Sequence, residues 1–361
     1  MRPLVQPYIE TLKAYVPGKP IEETEREYGL KGVIKLASNE NPLGPSPRAV
    51  EAMQQAARSV HLYPDAASFM LVRKLATHLG VEPRELVLGS GSNELIELLI
   101  RTFTTPEDEI LLAQGSFPAY RISAQAHGRP FREVPMKEGH QYDLPAMARA
   151  LGPRTRMVFL ANPDNPTGTA FSRPEFEAFL KAVPADVLVV YDEAYFEFVA
   201  WSEYASGLEY FRAHPNVVTL RTFSKIYGLA GIRLGYGVMD AKLADYVQRG
   251  RMPFNLTSVA QAAGVAALDD AEHVRRTRDN NLEGLAYYGV ELPRLGITLT
   301  RSHANFVLAD VHRPGIEVYE QLLRRGVIVR PSAAHPTCVR ISVGTREENQ
   351  RCVAALKEIL A

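Results

Sequence analysis

Lys225 closes the stretch Thr222-Phe-Ser-Lys225 at the end of an apolar run, and a second cation, Arg233, follows eight residues later in Gly228-Leu-Ala-Gly-Ile-Arg-Leu-Gly235. A lysine desolvated beside another cation loses proton affinity and becomes available for amine chemistry on carbonyls. Taken alone, a lysine is ordinarily a solvated surface charge. Asp192 ends a second apolar run, where a carboxylate is costly to bury without a partner. A protonated pyridine nitrogen or an arginine would satisfy it, and a helix cap is the plain alternative. Gly89-Ser-Gly-Ser92 offers unhindered backbone N–H groups ahead of a helix, which suits a phosphate, although such turns often do nothing more than turn. It is not a Walker loop, since no Gly-Lys-Ser/Thr follows, and it lacks the Gly-x-Gly-x-x-Gly spacing of dinucleotide sites. A fourth polar stretch, Asn162-Pro-Asp-Asn-Pro-Thr-Gly168, follows a further run.

The elements needed to bring these stretches together are legible in the pattern. Residues 47–58 and 69–79 repeat apolar positions at helical spacing, and Gly80 suits a helix end. Strands are expected at 85–88, 109–113, 157–161, 187–191, 217–221 and 234–239, separated by helical or turn-rich sequence. Such alternation predicts an α/β domain with a mainly parallel sheet flanked by helices. In such sheets ligands bind beyond the carboxyl ends of the strands, so the four polar stretches should share one crevice. After about residue 270 a charged helix is followed by strands at 304–309, 327–330 and 339–343 and helices at 316–325 and from 347. This part reads as a smaller α+β domain. The expected division is an N-terminal arm over 1–40, a large domain over 41–270 and a small C-terminal domain over 271–361.

The 361 residues carry 41 Lys plus Arg and 41 Asp plus Glu, a formal net charge of zero that leaves no basic excess for nucleic acid. The prolines at 3, 7, 17 and 20 interrupt any signal-peptide core, and no apolar run approaches membrane-spanning length. Two cysteines, Cys338 and Cys352, without metal-ligand spacing suggest neither a disulfide scaffold nor a zinc site. A cytoplasmic protein without a metal is expected.

Asn-Pro-Thr-Gly at 165–168, Asp-Glu-Ala-Tyr at 192–195, and Ser-Lys with the following Gly-Ile-Arg-Leu-Gly at 224–235 agree in type, order and spacing with a known family. The chain resembles the fold-type-I pyridoxal-phosphate aminotransferases over nearly its whole length, and among them the branch acting on histidinol phosphate. The resemblance implies that Lys225 holds the cofactor as a Schiff base and then moves the proton at the substrate α-carbon. It implies that Asp192 pairs with the pyridinium nitrogen, that Asn165 and Tyr195 bond the ring's phenolic oxygen, and that Phe117 stacks on the ring. The phosphate would lie on Gly91, Ser92 and Asn93 with Thr222, Ser224 and Arg233, and Tyr63 would reach it from the other subunit of a homodimer. Arg340 would take a substrate carboxylate and Arg330 the substrate phosphate or the donor's side-chain carboxylate, with Tyr15 and Asn39 closing over the site. The implied substrates are histidinol phosphate and the glutamate/2-oxoglutarate pair, in histidine biosynthesis. One departure is Asp164, where many relatives have asparagine.

Other readings keep the cofactor and change the substrate: an aromatic or other amino-acid aminotransferase, or a phosphothreonine decarboxylase. A regulator with an aminotransferase-like sensor would need a winged-helix domain, for which the roughly forty residues before the core are too few. A dinucleotide oxidoreductase would leave Lys225 unexplained.

Overall fold

The computed structural model describes residues 4–360. Its centre is a seven-stranded sheet formed by β1 (Leu86–Gly89), β2 (Glu109–Ala113), β3 (Phe131–Val134), β4 (Thr155–Ala161), β5 (Leu188–Asp192), β6 (Val217–Thr222) and β7 (Gly235–Val238), in the order β1-β7-β6-β5-β4-β2-β3. Every pairing is parallel except those of β7, which runs antiparallel to both β1 and β6. The sheet is therefore mainly parallel, as expected, and β1, β2, β4, β5 and β6 all end on the same side.

Continuous apolar strands make sense only when both faces are covered. Along β4 and β5 the side chains divide by the period of two: Val158, Leu160, Val189 and Tyr191 join one buried cluster, while Met157, Phe159, Leu188 and Val190 join the other. A buried Val, Leu, Met or Phe side chain among them contributes roughly 1.5–3 kcal/mol by leaving water. Helices Ser92–Phe103 and Pro118–Ala126 lie on the second face, and Ser258–Leu268 packs against Pro47–Ala56 and Phe69–Leu79. Strand β3 was not anticipated. Its residues Phe-Arg-Glu-Val form a partly exposed edge, where charge replaces the apolar run that marks inner strands.

The long helix Ala271–Arg294 leads into a four-stranded antiparallel sheet, in the order β10-β11-β9-β8, made of β8 (Thr298–Leu299), β9 (Phe306–Asp310), β10 (Arg330–Pro331) and β11 (Cys338–Ser342). The strand expected over 327–330 is divided. Val327 and Ile328 pair in parallel with Ile34 and Lys35 of the N-terminal arm, whereas Arg330 and Pro331 pair with Arg340 and Val339. One apolar run thus serves two sheets, because its neighbours on the two sides differ. No helix among the described residues is long and apolar enough to cross a membrane.

Candidate active site

Beyond the carboxyl ends of the parallel strands lies a cavity lined by Ser92, Asn93, Phe117, Asn165, Asp192, Tyr195, Thr222, Ser224, Lys225 and Arg233. Tyr15, Asn39, Arg330 and Arg340 complete its wall from the arm and the small sheet. Of the sixteen site residues expected from the sequence, all but Gly91 and Tyr63 line this one space. Gly91 stands at its rim against Arg233. Tyr63 is 83% exposed and stacks on Phe254 at 4.7 Å between ring centroids, outside the cavity.

Asp192 ends β5 on the face of Val190, so its carboxylate turns towards helix Pro118–Ala126. There Tyr120 Oη donates to Asp192 Oδ2 at 2.7 Å, and the Ala194 N–H donates to Oδ1 at 3.1 Å. Burial pushes this carboxyl up to about 6, against the opposing pull of the Tyr120 hydrogen bond. The alternation then sends Glu193 to the opposite face, where it meets Arg221 Nε at 2.8 Å; both are buried, and the Arg221 guanidinium lies 3.6 Å from the centre of the Phe196 ring. Arg221 is thus committed to Glu193. Among the described residues Asp192 has hydrogen-bond donors but no salt bridge.

Lys225 Nζ donates to the Ser38 carbonyl at 3.1 Å and sits 5.7 Å from the centre of the Tyr195 ring. Burial, with the charge of Arg340 next in weight, pulls its ammonium down to about 8. That is the depression expected of a lysine prepared for amine chemistry. Tyr195 Oη accepts from Asn39 Nδ2 at 2.9 Å, and burial raises its phenol to about 12. Asn39 occupies the left-handed region at φ 54°, a conformation asparagine tolerates. Ser342 Oγ anchors it, accepting from the Asn39 N–H at 2.9 Å and donating to Oδ1 at 3.0 Å.

On the other side, Gly91 caps helix Ser92–Phe103 at φ 78°, and a Cβ there would come within 2.3 Å of Arg233 Nη2. A Cβ on Gly235 would come within 2.5 Å of the Ser92 N. Two glycines therefore clear a bay floored by backbone N–H groups, a helix N-terminus and a guanidinium. Thr222 Oγ1 and Ser224 Oγ, 3.0 Å apart, border it, and Arg233 Nη1 reaches Ser224 Oγ at 3.3 Å. This cradle fits a phosphate.

Arg340 on β11 donates to Asn165 Oδ1 and to the Ala37 carbonyl, while its Nε is buried without a partner. Asn165, expected only to bear on a cofactor ring, is here also a contact of this arginine. Burial lowers the proton affinity of the guanidinium, and the unpartnered Nε–H is a donor suited to an incoming anion. Arg330 donates to the Val16 carbonyl and lies 5.7 Å from the Tyr15 ring centre. Three participants escaped the sequence reading: Tyr120, the Ser38 carbonyl and Glu40, which also lines the cavity. A tyrosine on an amphipathic helix reads as core, and a backbone carbonyl leaves no residue-type signal at all. Among the described residues no group of three or more His, Cys, Asp or Glu could hold a metal ion.

Residues 31–356 match the family described as aminotransferase class I and II. The chain belongs to that family. This aminotransferase is 54% identical over 361 residues, 99% of each chain, to a histidinol-phosphate aminotransferase of Anaeromyxobacter sp. (strain Fw109-5). It is 48% identical to one from Moorella thermoacetica, over 98% of this chain and 92% of the relative. Among solved structures, the histidinol-phosphate aminotransferase of Sinorhizobium meliloti in complex with pyridoxal-5'-phosphate superposes with a TM-score of 0.91 at 29% identity, covering 100% of this chain and 98% of that one. An aspartate aminotransferase variant from Thermus thermophilus, at 23% identity and a TM-score of 0.85, shares the fold. The aminotransferase fold expected from the sequence is the one observed.

Proposed function

We propose that this aminotransferase binds pyridoxal phosphate and moves the amino group of histidinol phosphate to 2-oxoglutarate, giving imidazole acetol phosphate and glutamate, a step of histidine biosynthesis. The observation that carries the reading is the pairing, in one cavity, of a depressed lysine with two arginines of the arm-and-small-sheet wall. The full-length likeness to histidinol-phosphate aminotransferases supports this substrate over aromatic amino acids or phosphothreonine.

In this reading the glycine-cleared bay of Gly91, Ser92, Asn93, Thr222, Ser224 and Arg233 takes the cofactor phosphate. Asp192, buried with donors and no ion-pair partner, receives the protonated ring nitrogen and repays its own burial by that pairing. Asn165 and Tyr195 bear on the ring's phenolic oxygen, and Phe117 covers one face. When bound, the cofactor supplies the electron sink for the pair left at the substrate α-carbon and carries the amino group between the two half-reactions. Lys225 Nζ would hold the cofactor and, as a neutral amine, would take the proton from the substrate α-carbon and carry it as an ammonium. Arg340, with its unpartnered Nε, forks onto the carboxylate of 2-oxoglutarate or glutamate. Arg330 and Tyr15 take the substrate phosphate, which histidinol phosphate carries in place of a carboxylate.

The chain would work as a homodimer, with Tyr63 entering the partner's site. The exposed apolar residues Leu62, Tyr63, Phe69, Met70, Met252 and Phe254 support a protein contact there. We take residues 1–40 as an arm, 41–270 as the cofactor domain and 271–361 as a small domain; a separate buried cluster including Val307, Val339, Ile341 and Leu356 supports the last. A cytoplasmic location belongs to the same proposal, and both cysteines being free supports it. The test is turnover: the purified protein with histidinol phosphate and 2-oxoglutarate should form glutamate. Failure with that pair beside good transfer from phenylalanine or tyrosine would overturn the substrate.

A further inference from the structure

Asp164 is fully buried among hydroxyl groups. Its Oδ1 accepts from Ser116 Oγ at 2.5 Å and lies 3.4 Å from Tyr142 Oη. Its Oδ2 accepts from Thr167 Oγ1 at 2.9 Å and from the Thr167 N–H at 3.3 Å. Ser116 and Tyr142 are themselves 2.7 Å apart, and Tyr142 Oη accepts from the N–H of Ala161, the last residue of β4, at 3.1 Å. Asn165 follows Asp164 and Phe117 follows Ser116, and both line the cavity.

Counting protons shows why a carboxylate suits this spot. At Oδ1 two hydroxyl protons, those of Ser116 and Tyr142, need acceptors. An ionised carboxylate accepts at every one of its contacts, so neither proton is stranded. An amide fares worse in both orientations. With its NH2 towards Ser116, the Ser116 and Tyr142 oxygens must absorb an additional donor, and one hydroxyl proton is left without an acceptor. With its NH2 towards Thr167, it faces the Thr167 N–H, donor against donor.

We propose that Asp164 is a positioning residue. Through Ser116 and Tyr142 it pins the turn 114–117 to the loop 162–168, and thereby sets the separation between the Phe117 ring and the Asn165 amide. This rests on the reading that the cavity binds pyridoxal phosphate, whose ring those two side chains would meet on a face and at an edge.

The experiment compares the unaltered chain with D164N, S116A and the double variant, each mixed with pyridoxal phosphate. The readouts are the circular dichroism of the visible cofactor band, which depends on how the ring is held in its chiral surroundings, the cofactor dissociation constant and the thermal midpoint. D164N should take up cofactor roughly tenfold more weakly, as expected for one stranded buried proton, with the dichroic band reduced by about half. S116A should move both in the same direction. The double variant should be no worse than D164N, since the two act on one contact. A D164N protein with an unchanged band and a dissociation constant within about twofold of the unaltered chain overturns the positioning role, even if its thermal midpoint falls. Additive losses in the double variant overturn it as well. Should D164N fail to fold, S116A decides, and an unchanged band in S116A counts against the proposal. If the unaltered chain takes up no pyridoxal phosphate, the functional reading fails and this inference falls with it; uptake by the unaltered chain with an indifferent D164N refutes the positioning role alone.

Discussion

At Lys225 the depressed proton affinity sets a kinetic expectation. Only the neutral amine reacts with an aldehyde, so the rate of cofactor capture, followed by visible absorbance, should rise with pH and level off above about 8. Lys225→Ala should give no covalent attachment on borohydride reduction and lose on the order of 10²–10⁴ in turnover, the span of a lost general base. Asp192 invites a second test. Its carboxyl in the ligand-free chain is raised to about 6, as is that of Asp164, above the value near 4 of an unfolded aspartate. For a raised acid the folded state holds protons that the unfolded chain has released, so the contribution is favourable at low pH and is lost as pH rises through about 6. The thermal midpoint of the ligand-free chain should therefore fall less between about pH 5 and about pH 7 in Asp192→Asn than in the unaltered protein. An identical slope in the two would contradict the assignment. With cofactor present, the same variant should retain binding and lose most turnover, because the ring nitrogen loses its charged partner. These two residues were legible in the sequence because each is a charge ending an apolar run, a placement with an evident cost. Tyr120, which holds Asp192 in place, was not, since its phenol is buried like any core tyrosine and only the fold brings it to the carboxylate.

The glycine-cleared bay is a property of elements, not of any one side chain. It needs β1 to end, the chain to turn through Gly91 at positive φ, and β7 to return close enough that Gly235 touches the same turn. Gly91→Ala adds a Cβ where Arg233 Nη2 stands and strains the backbone by about 1–3 kcal/mol. The expected outcome is specific to the phosphate: affinity for pyridoxal phosphate should drop about tenfold or more, while the weak affinity for pyridoxal, which has no phosphate, changes little. Equal losses for both compounds would show a general collapse of the cavity. At this scale the sequence was informative where apolar runs were long. It missed β3, where Arg132 and Glu133 are exposed on opposite faces of the strand, and it merged the residues now shared between the arm pairing and β10. Periodicity reports burial, and an edge strand or a strand that changes partners does not bury its faces uniformly.

For the molecule as a whole, the expected exchange of Tyr63 between subunits can be tested without a structure of the dimer. Tyr63→Ala should weaken cofactor binding, and Lys225→Ala should be inactive; mixed after reversible dissociation, they should regain about a quarter of native activity, since half the dimers are mixed and each holds one site with both residues intact. No recovery would argue against a shared site. The arm raises a different matter. One short strip of backbone offers its Ala37 carbonyl to Arg340 and its Ser38 carbonyl to Lys225, and the Arg340 charge is part of what keeps the lysine short of protons. A carboxylate seated on Arg340 cancels that charge, so binding of the acid must raise the affinity of Lys225 for a proton. By reciprocity, protonating Lys225 must tighten the hold on the acid by the same factor. The nitrogen that reacts only when unprotonated thus registers whether the acid pocket is filled, and a dicarboxylate titrated into the protein should shift the pH midpoint of cofactor capture upward.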